Sequence, residues 1–399
     1  MMTTATRYVG LDIHKHHVMI AAVDDQQEIM LAPQEVSIPH FTSWAQTHLY
    51  PTDQVALEAT TNAWVLHDNL KPLVESVAVA NTLQLKLIGA SASKTDKQDA
   101  LILAKLLAAN LLPDVWVPPP PVRELRRLTQ HRSQLLQQRS ALKNKLHAIL
   151  HQHNLQLPDG DPFSATNQSW WTELSINPTE ALQIRHFWLS LEHFSQLLTE
   201  TETHIAQLSV NDHWNDAMTL LMQLPGIGLY TGMTILAAIG DIARFPTAPQ
   251  LVGYAGLGAR VRASGESYRT GKISKRGRRE LRFALIASAW VAVRWSDYWR
   301  AQFHPLAQRI GKQKAIVAIA RKLLMTIWHI LTKREPDRHG DPEAAARAFM
   351  TWASHHHLAR SQGVHRLDFV RERLAHIGIL DQITSFQANG RAHFLKTDP

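Results

Sequence analysis

Short apolar segments that alternate with helical patterns constrain the first part of the chain more than any other feature of the sequence. "YVGLDIHKHHVMIAAVDD" contains two such segments around a short turn, and "QVALEAT" and "SVAVAN" supply two more, each followed by a helical pattern. Strands separated by helices are typical of an α/β domain with a mixed sheet. The four prolines Pro118 to Pro121 favour extended polyproline and end this pattern, so we predict an α/β domain over residues 1–117.

A heptad pattern follows along two long helical segments. Its positions are Leu125, Leu128, Arg132, Leu135, Arg139, Leu142, Leu146 and Ile149 in the first segment, and Ile184, Phe187, Leu191, Phe194, Leu198, Thr201, Ile205 and Leu208 in the second. Paired heptads predict a coiled-coil domain over residues 122–212, either as a hairpin within one chain or as a bundle between chains. A plain core-facing stripe on each helix is the alternative.

For the rest of the chain we predict a mostly helical, all-α globular domain over residues 213–335 and a polar extension over residues 336–399. A proline and three glycines interrupt the longest apolar run, "LLMQLPGIGLYTGMTILAAIG", which indicates buried helices around a turn and no membrane span. The N-terminal "MMTTATRYVGLDIHK" lacks the apolar stretch of a signal peptide, so we expect a cytoplasmic protein. The histidines of "SHHHLARSQGVHRL" lack regular ligand spacing, and we interpret them as surface residues.

Charge is distributed unevenly along the chain. Residues 121–153 carry seven lysines and arginines and one acid, and residues 260–282 carry nine and two, whereas the whole chain has a net charge of only +8. Two basic segments in an otherwise acidic protein favour a polyanionic partner, most simply nucleic acid, although solvated helix faces show the same composition. The chain has no cysteine, which excludes disulfides, thiolate zinc sites and cysteine nucleophiles.

Four carboxylates stand out within the predicted α/β domain. Asp96 and Asp99 lie three apart where a helix begins in "SASKTDKQDALILAKLL", and capping by Ser93 would explain both without any active site. Asp12 interrupts one apolar strand and Glu58 ends another. Each alone is typical of a surface charge, but four converging carboxylates repel one another unless cations neutralise them. Hard oxygen ligands suit Mg²⁺ or Mn²⁺, and two such ions can clamp the oxygens of a phosphodiester.

A serine lies among cations in the second basic segment. "LPGIGLYTGMTILAAIG" resembles a helix-hairpin-helix, for which a tight helix–helix turn is the alternative, and Ser264 follows it in "YAGLGARVRASGESYRTGKISKRGRRELR". Positive charge near a serine attracts phosphate and stabilises alkoxide character. The predicted nucleic-acid-binding residues are Arg260, Arg262, Arg269, Lys272, Lys275, Arg276, Arg278 and Arg279, with Arg126, Arg127, Lys143 and Lys145 from the first basic segment.

The acids of "YVGLDIHK", "ALEAT" and "KTDKQDALILAKLL" come in the order Asp, Glu, Asp, Asp, and the segments "LPGIG", "YAGL" and "GKISKRG" follow them. This pattern resembles the insertion-sequence transposases related to the Piv/MooV DNA invertases, a bridge-RNA-guided recombinase family. The resemblance implies an N-terminal domain of the RuvC-like, ribonuclease H type and a C-terminal serine-bearing transposase domain. It implies Asp12, Glu58, Asp96 and Asp99 as metal ligands and catalytic residues, and Ser264 as the nucleophile. Ser267 and Ser274 compete for that role. The family's proline after "YAGL" is missing here, which puts the loop geometry in doubt.

The same resemblance implies a DNA recombinase that mobilises an insertion sequence through a phosphoserine intermediate assisted by Mg²⁺. It also implies a homo-oligomer, a dimer or tetramer, whose site combines domains of two subunits, and a structured guide RNA. Two other interpretations stay open: a RuvC-like junction resolvase that uses metal-bound water, and an architectural DNA-binding protein without catalysis. A sugar kinase of the actin type would need glycines after Asp12, and "DIHKHH" has none.

Overall fold

The computed structural model describes residues 6–88, 95–264 and 267–395, and it divides the chain into two compact units, Met1–Pro118 and Pro119–Pro399. The first unit is a mixed five-stranded sheet with helices, an α/β fold of the ribonuclease H-like type, and the second is mostly helical. These are the fold classes that the sequence predicts.

The sheet of the first unit has the strand order β3-β2-β1-β4-β5. The strands β1 and β2 form an antiparallel hairpin that β3 extends, whereas β1, β4 and β5 run parallel. The elements are β1 (Tyr8–Ile13), β2 (His17–Val23), β3 (Ile29–Ser37), α1 (Ile38–His48), β4 (Gln54–Glu58), α2 (Ala63–Leu70), β5 (Ser76–Ala80), α3 (Thr82–Ile88) and α4 (Asp96–Ala108). Proline has no backbone N–H to donate to a neighbouring strand. The strand β3 tolerates Pro33 because it is an edge strand, which has a neighbouring strand on one side only.

The two faces of this sheet carry different side chains. Large apolar residues such as Leu11 and Leu57 pack against α1 and α2 in the main core of the unit. On the other face, Ala21, Gly10 and Ala56 form a row of small residues across three neighbouring strands. The helix α4 packs on this row, so closely that a Cβ added at Gly10 would lie 2.6 Å from the backbone nitrogen of Ala104. Small residues therefore determine how near α4 comes to the sheet.

The second unit contains twelve helices and two hairpins among the residues described from Pro119 onward. The helices are α5 (Pro120–Gln152), α6 (Gln168–Thr172), α7 (Pro178–Leu208), α8 (Asn215–Met222), α9 (Leu229–Ile239), α10 (Ala248–Tyr254), α11 (Arg279–Trp295), α12 (Asp297–Ile310), α13 (Lys312–Lys333), α14 (Pro342–Ser354), α15 (Leu358–Ser361) and α16 (Arg366–His376). The hairpin strands are β6 (Ala259–Ser264), β7 (Ser267–Ile273), β8 (Ser385–Ala388) and β9 (Arg391–Phe394). Three short 3₁₀ turns lie between helices and a fourth precedes β8.

The two heptad helices, α5 and α7, pack against each other within one chain. Leu135 and Leu146 of α5 and Leu198 of α7 are buried, and the Arg132 Nε donates to Oε1 of Glu202 across the pair at 2.7 Å. The heptad stripes thus find their partners inside the chain, as the hairpin alternative predicts.

The longest apolar run forms α8, a turn and α9, as predicted, with Gly226 at a φ of +81° in the turn. A Cβ at Gly232 of α9 would lie 2.6 Å from the Cε of Met218 of α8, so the glycine lets the two helices approach each other. Among the described residues one helix, α13, is long and apolar enough to cross a membrane by length and composition. Half of its apolar window is buried against other helices, which is typical of a core helix.

The C-terminal segment carries more structure than its polar composition suggests. The helices α14 and α16 pack together, with Phe349, Trp352 and Phe369 fully buried between them. The Nε1 of Trp352 donates to Oγ of Ser209 at the end of α7, 2.9 Å away. Apolar residues at helical spacing inside a polar sequence are enough to form this small core.

Candidate metal centre and basic surface

Asp12 and Glu58 lie at the carboxyl ends of two neighbouring parallel strands. The register pairs Leu11 of β1 with Leu57 of β4, so the residues that follow, Asp12 and Glu58, occupy adjacent positions. Asp12 is only 4% exposed, and Glu58 is half-buried as the last residue of β4. The carboxyl edge of parallel strands is where α/β sheets place their functional groups.

The start of α4 brings two more carboxylates to this edge. The helix begins at Asp96, and its N-cap is Thr95, whose hydroxyl accepts a hydrogen bond from the backbone N–H of Gln98 at 3.4 Å. The predicted cap, Ser93, lies outside the described residues, and the observed cap, Thr95, is two residues further along the chain. Asp96 and Asp99 therefore both belong to the first turn of α4. This turn directly precedes Ala100, where α4 packs on the row of small residues.

The acids influence one another electrostatically. Burial raises the pKa of Asp12 above its ordinary value, and the charges of Asp99 and Asp96 raise that pKa further, while His14 opposes them. The Nε2 of His14 lies 3.0 Å from Oδ2 of Asp12 and 3.4 Å from Oδ2 of Asp96. The structure thus brings Asp12, Asp96 and Asp99 together, and the strand register places Glu58 beside Asp12.

His14 was not among the predicted site residues. The alternation of side chains along a strand could have identified it, because a residue two positions after Asp12 lies on the same face of the sheet. The sequence pattern predicts only a turn at "HKHH". The structure shows that the first histidine of this turn contacts two of the predicted ligands.

The donor set fits a divalent cation. Asp12, Asp96 and Asp99 influence one another electrostatically at one edge of the sheet and offer hard oxygen ligands, and an acid whose ionised form is disfavoured by burial and by like charges gains most from a bound cation. A charge as deeply buried as Asp12 is rarely found without such compensation or a paired base.

Ser264 is the last residue of β6, and its backbone pairs with Ser267, the first residue of β7. Residues 265 and 266 between them, and the side chains of Ser264, Ser267, Arg262 and Arg269, lie outside the described residues. At the base of the same hairpin, Nη2 of Arg260 donates to the carbonyl of Ser274 at 3.1 Å. The predicted nucleophile therefore lies at the tip of a two-stranded hairpin.

Most of the predicted basic residues with described side chains are accessible. Those exposed to solvent are Arg127, Lys145, Arg260, Lys272, Lys275, Arg276 and Arg279. Two are half-buried and contact aromatic residues. The Nζ of Lys143 lies 4.4 Å from the ring centre of Phe163, and the Nε of Arg278 donates to the hydroxyl of Tyr254 at 3.1 Å. The segment from Lys272, in β7, to Arg279, the first residue of α11, carries five cations of which four are exposed, and we call it the basic connector.

Arg126 has a different environment from the other cations. Its Nε and Nη2 donate to the carbonyls of Ala237 and Ala238, at 2.7 and 3.0 Å, in the last turn of α9. Burial, followed by the charge of Arg278, lowers the pKa of Arg126 to about 10. A cation on the unpaired carbonyls at a helix C-terminus stabilises the helix. We therefore leave Arg126 out of the nucleic-acid surface proposed below.

Comparison with known sequences agrees with this fold. Residues 9–155 match a model of DEDD transposases of the IS110 type, and residues 218–304 match the model described as "Transposase IS116/IS110/IS902 family". The matched segments cover the carboxylate edge in the first unit and the serine hairpin in the second. Together they define a DNA transposase with a divalent-metal-using N-terminal domain.

Curated relatives match over most of their length. The chain is 29% identical to the pilin gene-inverting protein of Moraxella bovis over 351 residues, which is 82% of this chain and 97% of that protein. It is 27% identical to the transposase for insertion sequence element IS1111A of Coxiella burnetii over 258 residues, 62% of this chain and 69% of that one. It is 26% identical to a probable family 20 transposase of Pseudomonas aeruginosa over 343 residues, 83% and 98% of the two chains. The chain belongs to the IS110/IS116/IS902 family of transposases.

Proposed function

We propose that the chain is a recombinase that cuts and rejoins the DNA of an insertion sequence, with Asp12, Glu58, Asp96 and Asp99 holding Mg²⁺ or Mn²⁺. The observation that carries the proposal is the convergence of Asp12, Asp96 and Asp99 at one sheet edge, where burial and like charge raise the pKa of Asp12. This arrangement is costly in a protein that binds no cation and favourable in one that does.

Bound Mg²⁺ would supply Lewis-acid stabilisation of the charge that develops on the phosphate oxygens. We propose that the hydroxyl oxygen of Ser264 attacks the DNA phosphorus and gives up its proton. The bond from phosphorus to one deoxyribose oxygen breaks, and that oxygen leaves as a hydroxyl. One phosphoester bond forms for each one that breaks, so the covalent phosphoserine keeps the bond needed for rejoining.

The position of Ser264 supports this role. It ends β6 at the tip of a hairpin whose base and exit carry exposed cations, among them Arg260 and Lys272. Cations in such positions attract a phosphate to the neighbourhood of the hydroxyl.

The carboxylate part is tested by single substitutions. Asp12→Ala, Glu58→Ala, Asp96→Ala and Asp99→Ala should each abolish Mg²⁺-dependent DNA cleavage, and circular dichroism should show a folded protein because removing one of several clustered acids relieves repulsion. Asp25→Ala is the matched control, since Asp25 is an exposed acid in the turn after β2 of the same sheet. Full cleavage by any of the four variants would remove that residue from the metal centre.

The serine part is tested by Ser264→Ala. The variant should bind DNA as the wild type does and fail to cut it, because the hydroxyl adds little contact area but makes the covalent bond. Ser274→Ala tests the competing serine that directly follows β7, and it should cut DNA as the wild type does. If Ser264→Ala still cuts and no covalent adduct forms on Ser267 or Ser274, a water molecule is the nucleophile and the protein is a nuclease of the resolvase type.

We propose that the basic connector binds the phosphate backbone. Each phosphate contact made by a cation contributes roughly 0.9 to the slope of log affinity against log salt concentration. Replacing Lys275, Arg276 and Arg279 by glutamine should lower affinity and flatten this slope by about 2 to 3. Arg126→Gln is the control cation, because it should lower thermal stability and leave the slope unchanged. An unchanged slope in the triple variant would show that the basic connector does not contact nucleic acid.

We also propose a structured guide RNA and a homo-oligomer, a dimer or tetramer, acting on nucleoid DNA in the cytoplasm. The exposed cations of α5, Arg127 and Lys145, support a second polyanionic partner beside DNA. Purification from the native host followed by ribonuclease or deoxyribonuclease digestion would identify the bound nucleic acid. Light scattering before and after digestion would give the mass of the assembly, and a monomer free of RNA would contradict both proposals.

A further inference from the structure

The turn between β1 and β2 places two histidines side by side. The backbone N–H of His14 donates to the carbonyl of His17 at 2.9 Å, which closes the turn with Lys15 and His16 at its tip. This bond continues the antiparallel register in which Ile13 pairs with Val18. Residues that face each other in an antiparallel pair carry their side chains on the same face. The two imidazole rings accordingly lie 4.6 Å apart between centroids, inclined by 31°.

The histidines occupy the face of the sheet that receives α4. His14 is two residues after Asp12, so both side chains lie on this face, and the first turn of α4 brings Asp96 to it. One ligand atom each from His14, His17 and Asp96 lies within 4.8 Å of the other two. The turn between β1 and β2 and the start of α4 thus supply two nitrogens and one oxygen that lie close together.

We infer that His14, His17 and Asp96 bind a transition-metal ion of the zinc type, in a site next to the carboxylate centre that shares Asp96 with it. The inference rests on the proposed metal centre only through this shared acid. Imidazole nitrogen suits Zn²⁺ and similar ions, whereas the all-oxygen set of the neighbouring acids suits Mg²⁺. The two sites differ in chemistry and would therefore select different ions.

The distances are compatible with one small ion. Bonds of about 2.0 to 2.2 Å to zinc place neighbouring ligand atoms roughly 3.3 to 3.5 Å apart in a tetrahedral site. The Nε2 of His14 and Oδ2 of Asp96 are already 3.4 Å apart. His17 is half-buried at the start of β2, and its ligand nitrogen lies within 4.8 Å of the other two ligand atoms. Its Nδ1 lies 3.8 Å from Oε1 of Glu35 on β3, so an acid is also close to this ring.

Calorimetric titration of the full-length protein with Zn²⁺, and separately with Mg²⁺, tests the inference. His17→Ala, or His17→Gln where a polar side chain of similar size is needed for folding, should weaken the tightest Zn²⁺ binding by at least about tenfold and leave Mg²⁺ binding intact. His16→Ala is the matched control, because His16 is an exposed histidine at the tip of the same turn. It should bind both ions as the wild type does.

The Glu58→Ala variant separates this inference from the proposed function. It should lose Mg²⁺ binding and keep the Zn²⁺ site, since Glu58 belongs only to the carboxylate centre. Wild-type Mg²⁺ binding in Glu58→Ala would count against that centre without affecting the zinc site. Equal Zn²⁺ affinity in the wild type and both His17 variants, or an equal loss in the His16 and His17 variants, would overturn the inference.

Discussion

Gly10→Ala should disturb the metal centre although Gly10 carries no functional group. The added Cβ would lie 2.6 Å from the backbone nitrogen of Ala104 and nearer still to the carbonyl oxygen of Ala100, whereas ordinary van der Waals contact begins at 3.4 Å. Both atoms belong to the backbone of α4 and cannot rotate away, so the helix must move from the sheet by at least about 0.8 Å. Overpacking of this kind costs about 1–3 kcal/mol, and we expect the upper end because no side chain can yield.

Amide hydrogen exchange read by mass spectrometry is the appropriate assay, because a chain of two units need not unfold in one step. A cost of about 3 kcal/mol corresponds to roughly a hundredfold faster exchange in peptides from β1 and α4. Mg²⁺-dependent cleavage should fall as well, since Asp96 and Asp99 move with the helix. Gly253→Ala is the control, because its Cβ would meet nothing within 4 Å. Unchanged protection in Gly10→Ala would refute the packing of α4 on the small-residue row.

Two further predictions concern the second unit. Leu198→Ala should lower the free energy of unfolding by about 2–5 kcal/mol, because Leu198 is buried between α5 and α7, and urea unfolding followed by tryptophan fluorescence measures the loss. Burial, followed by the charge of His356, lowers the pKa of His355 from 6.5, while Glu202 raises it. The stability that neutral His355 contributes is therefore complete above pH 6.5, and it declines as the pH falls from there through the folded-state pKa. Between pH 7.5 and 5.5 we therefore expect the free energy of unfolding to fall less in His355→Gln than in the wild type. An identical loss in both proteins would assign the pH dependence to other groups.

Several features of the first unit were predictable because the residues that determine them are close in sequence. The strands β1, β2, β4 and β5 follow from apolar runs bounded by turns, and the spacing of Asp96 and Asp99 places both in one helical turn. The edge strand β3 was missed because Pro33 and its exposed polar residues hide the pattern of a strand. The convergence of His14 with Asp12 and Asp96 depends on how α4 docks, which no local pattern specifies.

In the second unit the helices were predictable and the uses of individual side chains were not. The heptads predict both long helices, but whether they pair within a chain depends on the long connection between them. Arg126 belongs to a basic segment, and only the position of α9 shows that its guanidinium binds helix carbonyls. The core around Trp352 was hidden for a similar reason, since its few apolar residues are diluted in a polar sequence.

The most direct test of the central claim is to trap the covalent intermediate. Wild-type protein is incubated with Mg²⁺ and a nicked suicide DNA whose leaving strand diffuses away, and the digested protein is mapped by mass spectrometry. We predict a nucleotide adduct on the peptide that contains Ser264, and no adduct in Asp12→Ala or Ser264→Ala. An adduct on Ser267 or Ser274 would keep the mechanism and change the residue. Mg²⁺-dependent cleavage by Ser264→Ala, with no adduct on any peptide, would contradict the recombinase chemistry and leave a nuclease that uses activated water.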